Sequence, residues 1–195
     1  MIQFLARILL RILFRLEVHG TPPSTKPERL LVVPNHQAFT DGLLAQAFLP
    51  IQVTWIVHSQ IVAKWYFRFL LRGIPHLAVD AANPMSMKKV VHLIESGTPV
   101  GIFPEGRITD TGELYPFRSG ITRIVGRTPV PVVPLALRGL WGSFFSRKDG
   151  PAMSRPLRRG LFSHIELVVG EAVPPEAATP AALQAIVAGL RGERR

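Results

Sequence analysis

Residues 30–42 read LLVVPNHQAFTDG. The apolar run Leu30-Leu31-Val32-Val33, closed by Pro34, predicts a short buried strand. Asp41-Gly42 then opens a helix through about Phe48, stopped by Pro50. A strand that hands over to a helix through a polar turn is half of an α/β unit. The same alternation continues outward from it. Strands are predicted over Val53–Val57, Leu77–Val79, Pro99–Phe103 and Ile165–Val169. A further strand over 130–137 (VPVVPLAL) holds two prolines, so it is expected to be irregular or near an edge. Helices are predicted over 61–72, from Asn83-Pro84 to Gly97, over 117–127, and from Thr179-Pro180 to about Leu190. Residues 142–163 read as loop. The fold class is therefore α/β, a mixed, largely parallel sheet flanked by helices.

The chain has 195 residues, enough to bury a core in one domain. Hydrophobic residues make up 47% and charged residues 18%, which is not a disordered composition. The absence of cysteine excludes disulfides, thiolate metal sites and cysteine nucleophiles. The six histidines lie in no short ligand spacing, so no metal site is expected. A formal net charge of +10 points to an anionic partner: a phosphate-bearing substrate, an acidic carrier protein, an anionic membrane or nucleic acid. Nucleic acid is set aside, because the cations sit on hydrophobic helices and do not alternate with base-stacking aromatics.

Residues 1–16 (MIQFLARILLRILFRL) place Gln3, Arg7, Arg11 and Arg15 four apart in an otherwise apolar run. That pattern predicts an amphipathic helix of about 24 Å. It is too short and too basic to cross a bilayer, and no small-residue cleavage site follows it. An interfacial helix fits, with its arginines at lipid phosphates; packing over the domain's own core is the other reading. Residues 17–195 then form the main domain. Lys64, Arg68 and Arg72 repeat the four-residue spacing on the second apolar helix, a further membrane-facing candidate. The charge-free run between Asp41 and Lys64 is broken by Pro50 and scattered polar residues, so it reads as helix, turn and strand, not as a membrane span.

Two stretches carry candidate chemistry. His36 and Asp41 would point about 140° apart on an ideal helix. They meet only if the chain between them turns. Asp41 would then fix one ring nitrogen of His36 and leave the other as a general base; a helix cap and a structural histidine are the alternative. In IFPEGRITDTGE (102–113), Gly106 permits a close backbone approach, and Arg107 offers a planar fork for phosphate. Glu105 is placed to orient that arginine or to contact a substrate hydroxyl or amine; a surface turn is the alternative. Arg72 and Arg118 are further candidates for a phosphate pocket. The basic stretch Arg147, Lys148, Arg155, Arg158 and Arg159 reads as an interfacial patch, a docking surface for an acidic carrier protein, or a solvated loop.

NHQAFTD (35–41), FPEGRIT (103–109) and VPVVPLAL (130–137) resemble, in order and spacing, three blocks of the PlsC-like glycerolipid (lysophospholipid) acyltransferases. The resemblance runs from about residue 16 to about 175. With QIVAKWYFRFLL it looks closest to the acyltransferase part of bacterial 2-acylglycerophosphoethanolamine acyltransferase/acyl carrier protein synthetase fusions. It implies a glycerol-3-phosphate acyltransferase-like fold and a membrane-associated enzyme at the cytoplasmic face of the inner membrane, peripheral or part of a larger protein. Such an enzyme moves a fatty acyl group from acyl-CoA or acyl-acyl carrier protein to a lysophospholipid hydroxyl, without a separate cofactor. The resemblance makes His36 the base, Asp41 its partner, and Glu105, Gly106 and the following basic residue part of the acceptor-phosphate block. That block usually reads Glu-Gly-Thr-Arg; here Arg107 stands one place early. Ala81, in LAVDAAN, stands where an arginine is often found, which favours a diester headgroup such as lysophosphatidylethanolamine. A hydrolase using the same pair and a non-catalytic membrane-binding module are the rival readings.

Overall fold

The apolar run 30–33 becomes the middle of a seven-stranded sheet. In the computed structural model, residues 15–23, 29–72, 74–80, 82–154 and 164–193 are described. The chain order begins β1 (Leu16–His19), β2 (Leu31–Pro34), α1 (Asp41–Phe48), β3 (Thr54–His58), α2 (Ser59–Val62), α3 (Trp65–Leu70) and β4 (His76–Val79). It continues with α4 (Pro84–Glu95), β5 (Val100–Gly101), α5 (Gly120–Arg127), β6 (Val132–Arg138), β7 (Ile165–Val169) and α6 (Pro180–Arg191). Spatial strand order is β1-β7-β6-β2-β5-β3-β4. Every neighbouring pair is parallel except β6–β7. The mixed, largely parallel sheet expected from the alternation of elements is the one formed.

The strand pleat sorts the core into two layers. Val32 faces a cluster with Leu44, Trp55, Leu135, Leu137 and Leu167, under α1. Its neighbours Leu31 and Val33 face the opposite cluster, where α4 contributes Val90 and Ile94, α5 Ile121, Ile124 and Val125, and α6 Leu183 and Val187. These helix residues recur three or four apart, so each helix lays one apolar stripe on the sheet. Asn83 and Thr179 cap α4 and α6 as the sequence suggests, accepting from the amides of Met85 and Ala182.

Three expectations are corrected, and one alternative is decided. The helix predicted over 61–72 is two short helices. The His58 ring nitrogen caps the first, accepting from Gln60 N, and a tight turn in which Lys64 N donates to Ile61 O separates it from the second. The strand over Pro99–Phe103 contracts to Val100–Gly101, because the following residues leave the sheet toward the site. The proline-bearing strand is not at an edge: β6 lies between β2 and β7. Pro134 fits there because the ladder is irregular at that point. Val132 pairs with Val173, while Pro134 O accepts from Gly170 N, so two steps on β6 face three on the returning chain. Finally, Leu16 is already in an edge strand. LEVH has too few alternating apolar residues to announce itself, and its register with Ile165–Val168 supplies what its own pattern lacks.

The helix expected over 1–16, with Arg7 and Arg11, lies outside the described residues apart from its last two positions. Arg15 is exposed, with φ 30°, in the turn before β1. Among the described residues no helix is long and apolar enough to cross a membrane.

Candidate active site

The site grows from the carboxyl end of β2. Asn35, buried, forms a two-way clasp with β6: its side chain accepts from Leu137 N at 2.7 Å and donates to Leu137 O at 2.9 Å. The chain then turns back on itself. Asp41, at the first position of α1, is fully buried, and its Oδ2 lies 2.8 Å from His36 Nδ1. The same oxygen accepts from the amides of Gln37 at 2.6 Å and Ala38 at 2.9 Å. One carboxylate oxygen therefore shapes the loop and orients the ring. With Nδ1–H donated to Asp41, Nε2 carries the lone pair. The His36 side chain keeps 18% of its surface, enough to meet a ligand.

A stack of rings holds the imidazole from the other side. His36 lies on Phe103 with centroids 4.0 Å apart, and Phe103 lies on Trp55 at 5.4 Å. Trp55 reaches that position because residue 101 is glycine: a Cβ there would stand 2.5 Å from the indole.

Residues 103–118 complete the site. Glu105 accepts from His36 N at 2.6 Å with Oε1 and from Tyr115 N at 2.8 Å with Oε2. It is 2% exposed, and burial pushes its carboxyl up to about 7 despite those two amides. Thr109 N donates to His36 O at 2.9 Å, so both polar groups of the His36 backbone are tied to this segment. Glu105 thus neither orients Arg107 nor faces outward toward a ligand; its oxygens are turned to the protein's own backbone. Arg107 is instead held by Asp110, 2.9 Å from Nη2, and by the Tyr115 ring, 4.5 Å from its Cζ. The Tyr115 hydroxyl also donates to Asp110 and holds that carboxyl below its ordinary range. Gly106 has φ 67°, and the exposed Arg118 lies across it: a Cβ would sit 2.7 Å from Arg118 Nε.

The structure brings His36, Asp41 and Glu105 into one hydrogen-bonded unit, with Gly106, Arg107 and Arg118 on the adjoining turn. Arg72 is elsewhere. It lines a groove of about 660 Å³ with Arg68, Trp65, Val62, Leu71, Ile74 and His76. Asn35, Thr109, Asp110 and Tyr115 were not singled out from sequence. Asp110, three residues after Arg107, was the one with a readable signal. Among the described residues no group of acids and histidines is arranged to hold a metal ion.

The chain belongs to the Acyltransferase family, whose model matches residues 15–138, a stretch that includes His36, Asp41 and Glu105. It is 28% identical over 131 residues to a 1-acyl-sn-glycerol-3-phosphate acyltransferase of Limnanthes alba, covering 64% of this chain and 45% of that protein. A Bacillus subtilis protein of the same name is 25% identical over 165 residues, 82% of each. The chain spans about half the length of the first of these relatives. The crystal structure of PlsC, the 1-acyl-sn-glycerophosphate (LPA) acyltransferase from Thermotoga maritima, superposes with a TM-score of 0.68 over 96% of this chain and 73% of that one, at 19% identity. At that identity the match speaks for the fold.

Proposed function

We propose that this protein transfers a fatty acyl group from an acyl thioester, acyl-CoA or acyl-acyl carrier protein, to the free hydroxyl of a lysophospholipid. The observation that carries the reading is the 2.8 Å contact between His36 Nδ1 and the buried Asp41. Nε2 removes the proton from the acceptor hydroxyl as its oxygen attacks the thioester carbonyl. The tetrahedral intermediate collapses, the C–S bond breaks, and the thiolate takes the proton from the imidazolium. Gly106, Arg107 and Arg118 receive the acceptor's phosphate, the arginines by charge-assisted hydrogen bonds. Glu105 serves the site by holding the His36 loop.

The acceptor is lysophosphatidylethanolamine or 1-acylglycerol-3-phosphate. Ala81, in place of a basic residue, favours the diester, and QIVAKWYFRFLL with FPEGRIT favours the branch in which this domain is joined to an acyl carrier protein synthetase. The segment before β1, with Arg7 and Arg11 and ending at Arg15, is the interfacial element, and the acyltransferase domain begins with β1 at Leu16. Lys64 and Arg68 add a second contact with the membrane, at its cytoplasmic face. The test is a matrix of lysolipid acceptors and both thioesters, with products read by lipid mass spectrometry. Acylated lipid that disappears in His36→Ala supports the reading. Free fatty acid as the sole product would make the protein a hydrolase, and no product from any pair would leave a membrane-binding module.

A further inference from the structure

The His36 loop is bonded on two sides, and each side carries exposed arginine. On the first, His36 is tied to Glu105 and Thr109, whose segment bears Arg107 and Arg118. On the second, Phe39 N donates to Phe145 O at 3.1 Å and Ala38 bridges Ser146. The next residue is Arg147. Its Cζ lies 6.0 Å from the Phe39 ring centroid, three positions along the loop from His36. That is the outer limit of a cation–π contact, and it leaves the planar fork open to an anion. No carboxylate among the described residues pairs with Arg147.

Acyl transfer between thioester and lysolipid brings two phosphate-bearing molecules to one imidazole. Two arginine-bearing segments are bonded to the loop that carries that imidazole, and the Gly106 turn accounts for only one of the phosphates. Coenzyme A and acyl carrier protein share the 4′-phosphopantetheine arm, whose one charged group is its phosphate. We propose that Arg147 binds that phosphate and so sets the approach of the acyl donor, on a different segment from the acceptor's arginines. The assignment rests on the acyl-transfer reading above.

The experiment compares three donors, acyl-CoA, acyl-acyl carrier protein and acyl-pantetheine without phosphate, in wild type, Arg147→Glu and Arg147→Lys, with thermal melts confirming the fold. In the wild type, loss of the donor phosphate lowers kcat/KM roughly tenfold or more, the scale of one charge-assisted contact. Arg147→Glu loses as much with both phosphorylated donors, keeps the rate with acyl-pantetheine, and leaves the acceptor KM within about twofold. Arg147→Lys recovers part of the loss. A variant that still discriminates the phosphate overturns the assignment, as does a rise in acceptor KM instead. A loss confined to acyl-acyl carrier protein also overturns it, since the contact is then with the carrier's own surface. Wild type that transfers from no donor takes down the acyl-transfer reading with it; normal wild-type turnover with an indifferent Arg147 removes this assignment alone.

Discussion

Glu105 grips the backbone of His36: its Oε1 accepts from His36 N at 2.6 Å. The residue that carries the imidazole is thereby held by two carboxylates, Asp41 at the ring and Glu105 at the main chain. Thr109 N closes the third side through His36 O. A ring aimed by this many fixed partners spends little freedom when a substrate arrives, which is the condition for positioning to assist the chemistry.

Removing that grip has a cost that can be measured. Glu105→Ala leaves the amides of His36 and Tyr115 without their acceptors, at about 1–3 kcal/mol for each where it is buried. Glu105→Gln keeps one acceptor and turns an NH2 toward the other amide, so it falls between. Urea unfolding should rank the three proteins in that order. In turnover assays the loss is expected in kcat, with the acceptor KM little changed; a loss carried wholly by acceptor KM would mean that Glu105 touches the acceptor.

The same carboxyl makes stability pH-dependent. Burial raises it from an ordinary value of 4.5 to about 7 in the folded protein. Between those values the folded state holds a proton that the unfolded state has released, so stability falls as pH rises through this window and levels off above it. Asp110, held below its ordinary range by the Tyr115 hydroxyl, works with the opposite sign at lower pH. The difference in unfolding free energy between wild type and Glu105→Gln isolates the first effect. It should slope between about pH 4.5 and 7; a flat difference would show that the carboxyl ionises normally.

Much of this unit was legible in residue order, and the remainder was not, for local reasons. Asp41 as the first residue of a helix, with His36 in the turn before it, follows from the apolar run ending at Pro34 and the helix opening at Asp41-Gly42. The inward turn of Glu105 does not. Its partners are backbone amides at positions 36 and 115, and a main-chain donor leaves no trace in side-chain identity. β1 was hidden for a related reason: LEVH becomes a strand through its register with β7, a pairing across most of the chain. The Asn35 clasp with Leu137 likewise joins residues that only the sheet order brings together.

If His36 is the base, His36→Ala should lower kcat by at least ~100-fold while folding survives. Asp41→Asn should be comparably damaging. An amide oxygen at position 41 can keep the contacts with Nδ1–H and the Gln37 and Ala38 amides, but the negative charge that stabilises the imidazolium is lost, and the amide NH2 is buried where Oδ1 has no partner. Near-normal turnover in either variant would remove the pair from the mechanism.

Gly106 offers a narrower test of the acceptor side. Alanine there meets the left-handed φ of 67° and places its Cβ 2.7 Å from Arg118 Nε. The guanidinium must swing away, so Gly106→Ala should raise the acceptor KM, as Arg107→Ala should, while the donor KM stays put. Equal changes for both substrates would point to general damage of the turn.

Trp65 offers a probe of the proposed membrane contact. Of the three tryptophans, Trp55 and Trp141 are buried, and Trp65 is 80% exposed at the start of α3. It borders the groove that Arg68 and Arg72 line, an aromatic beside cations, which is the side-chain mixture suited to a bilayer interface. Phe67, one turn from that groove, packs on Phe39 of the His36 loop at 4.5 Å, so a lipid surface docked here would lie next to the site that draws on it. Vesicles containing phosphatidylglycerol should shift the emission to the blue as Trp65 leaves water, and the shift should weaken with salt and in Arg68→Glu/Arg72→Glu. Trp65→Ala should abolish the shift. If the protein sediments with vesicles while its emission stays unchanged, this face is not the one that meets the membrane.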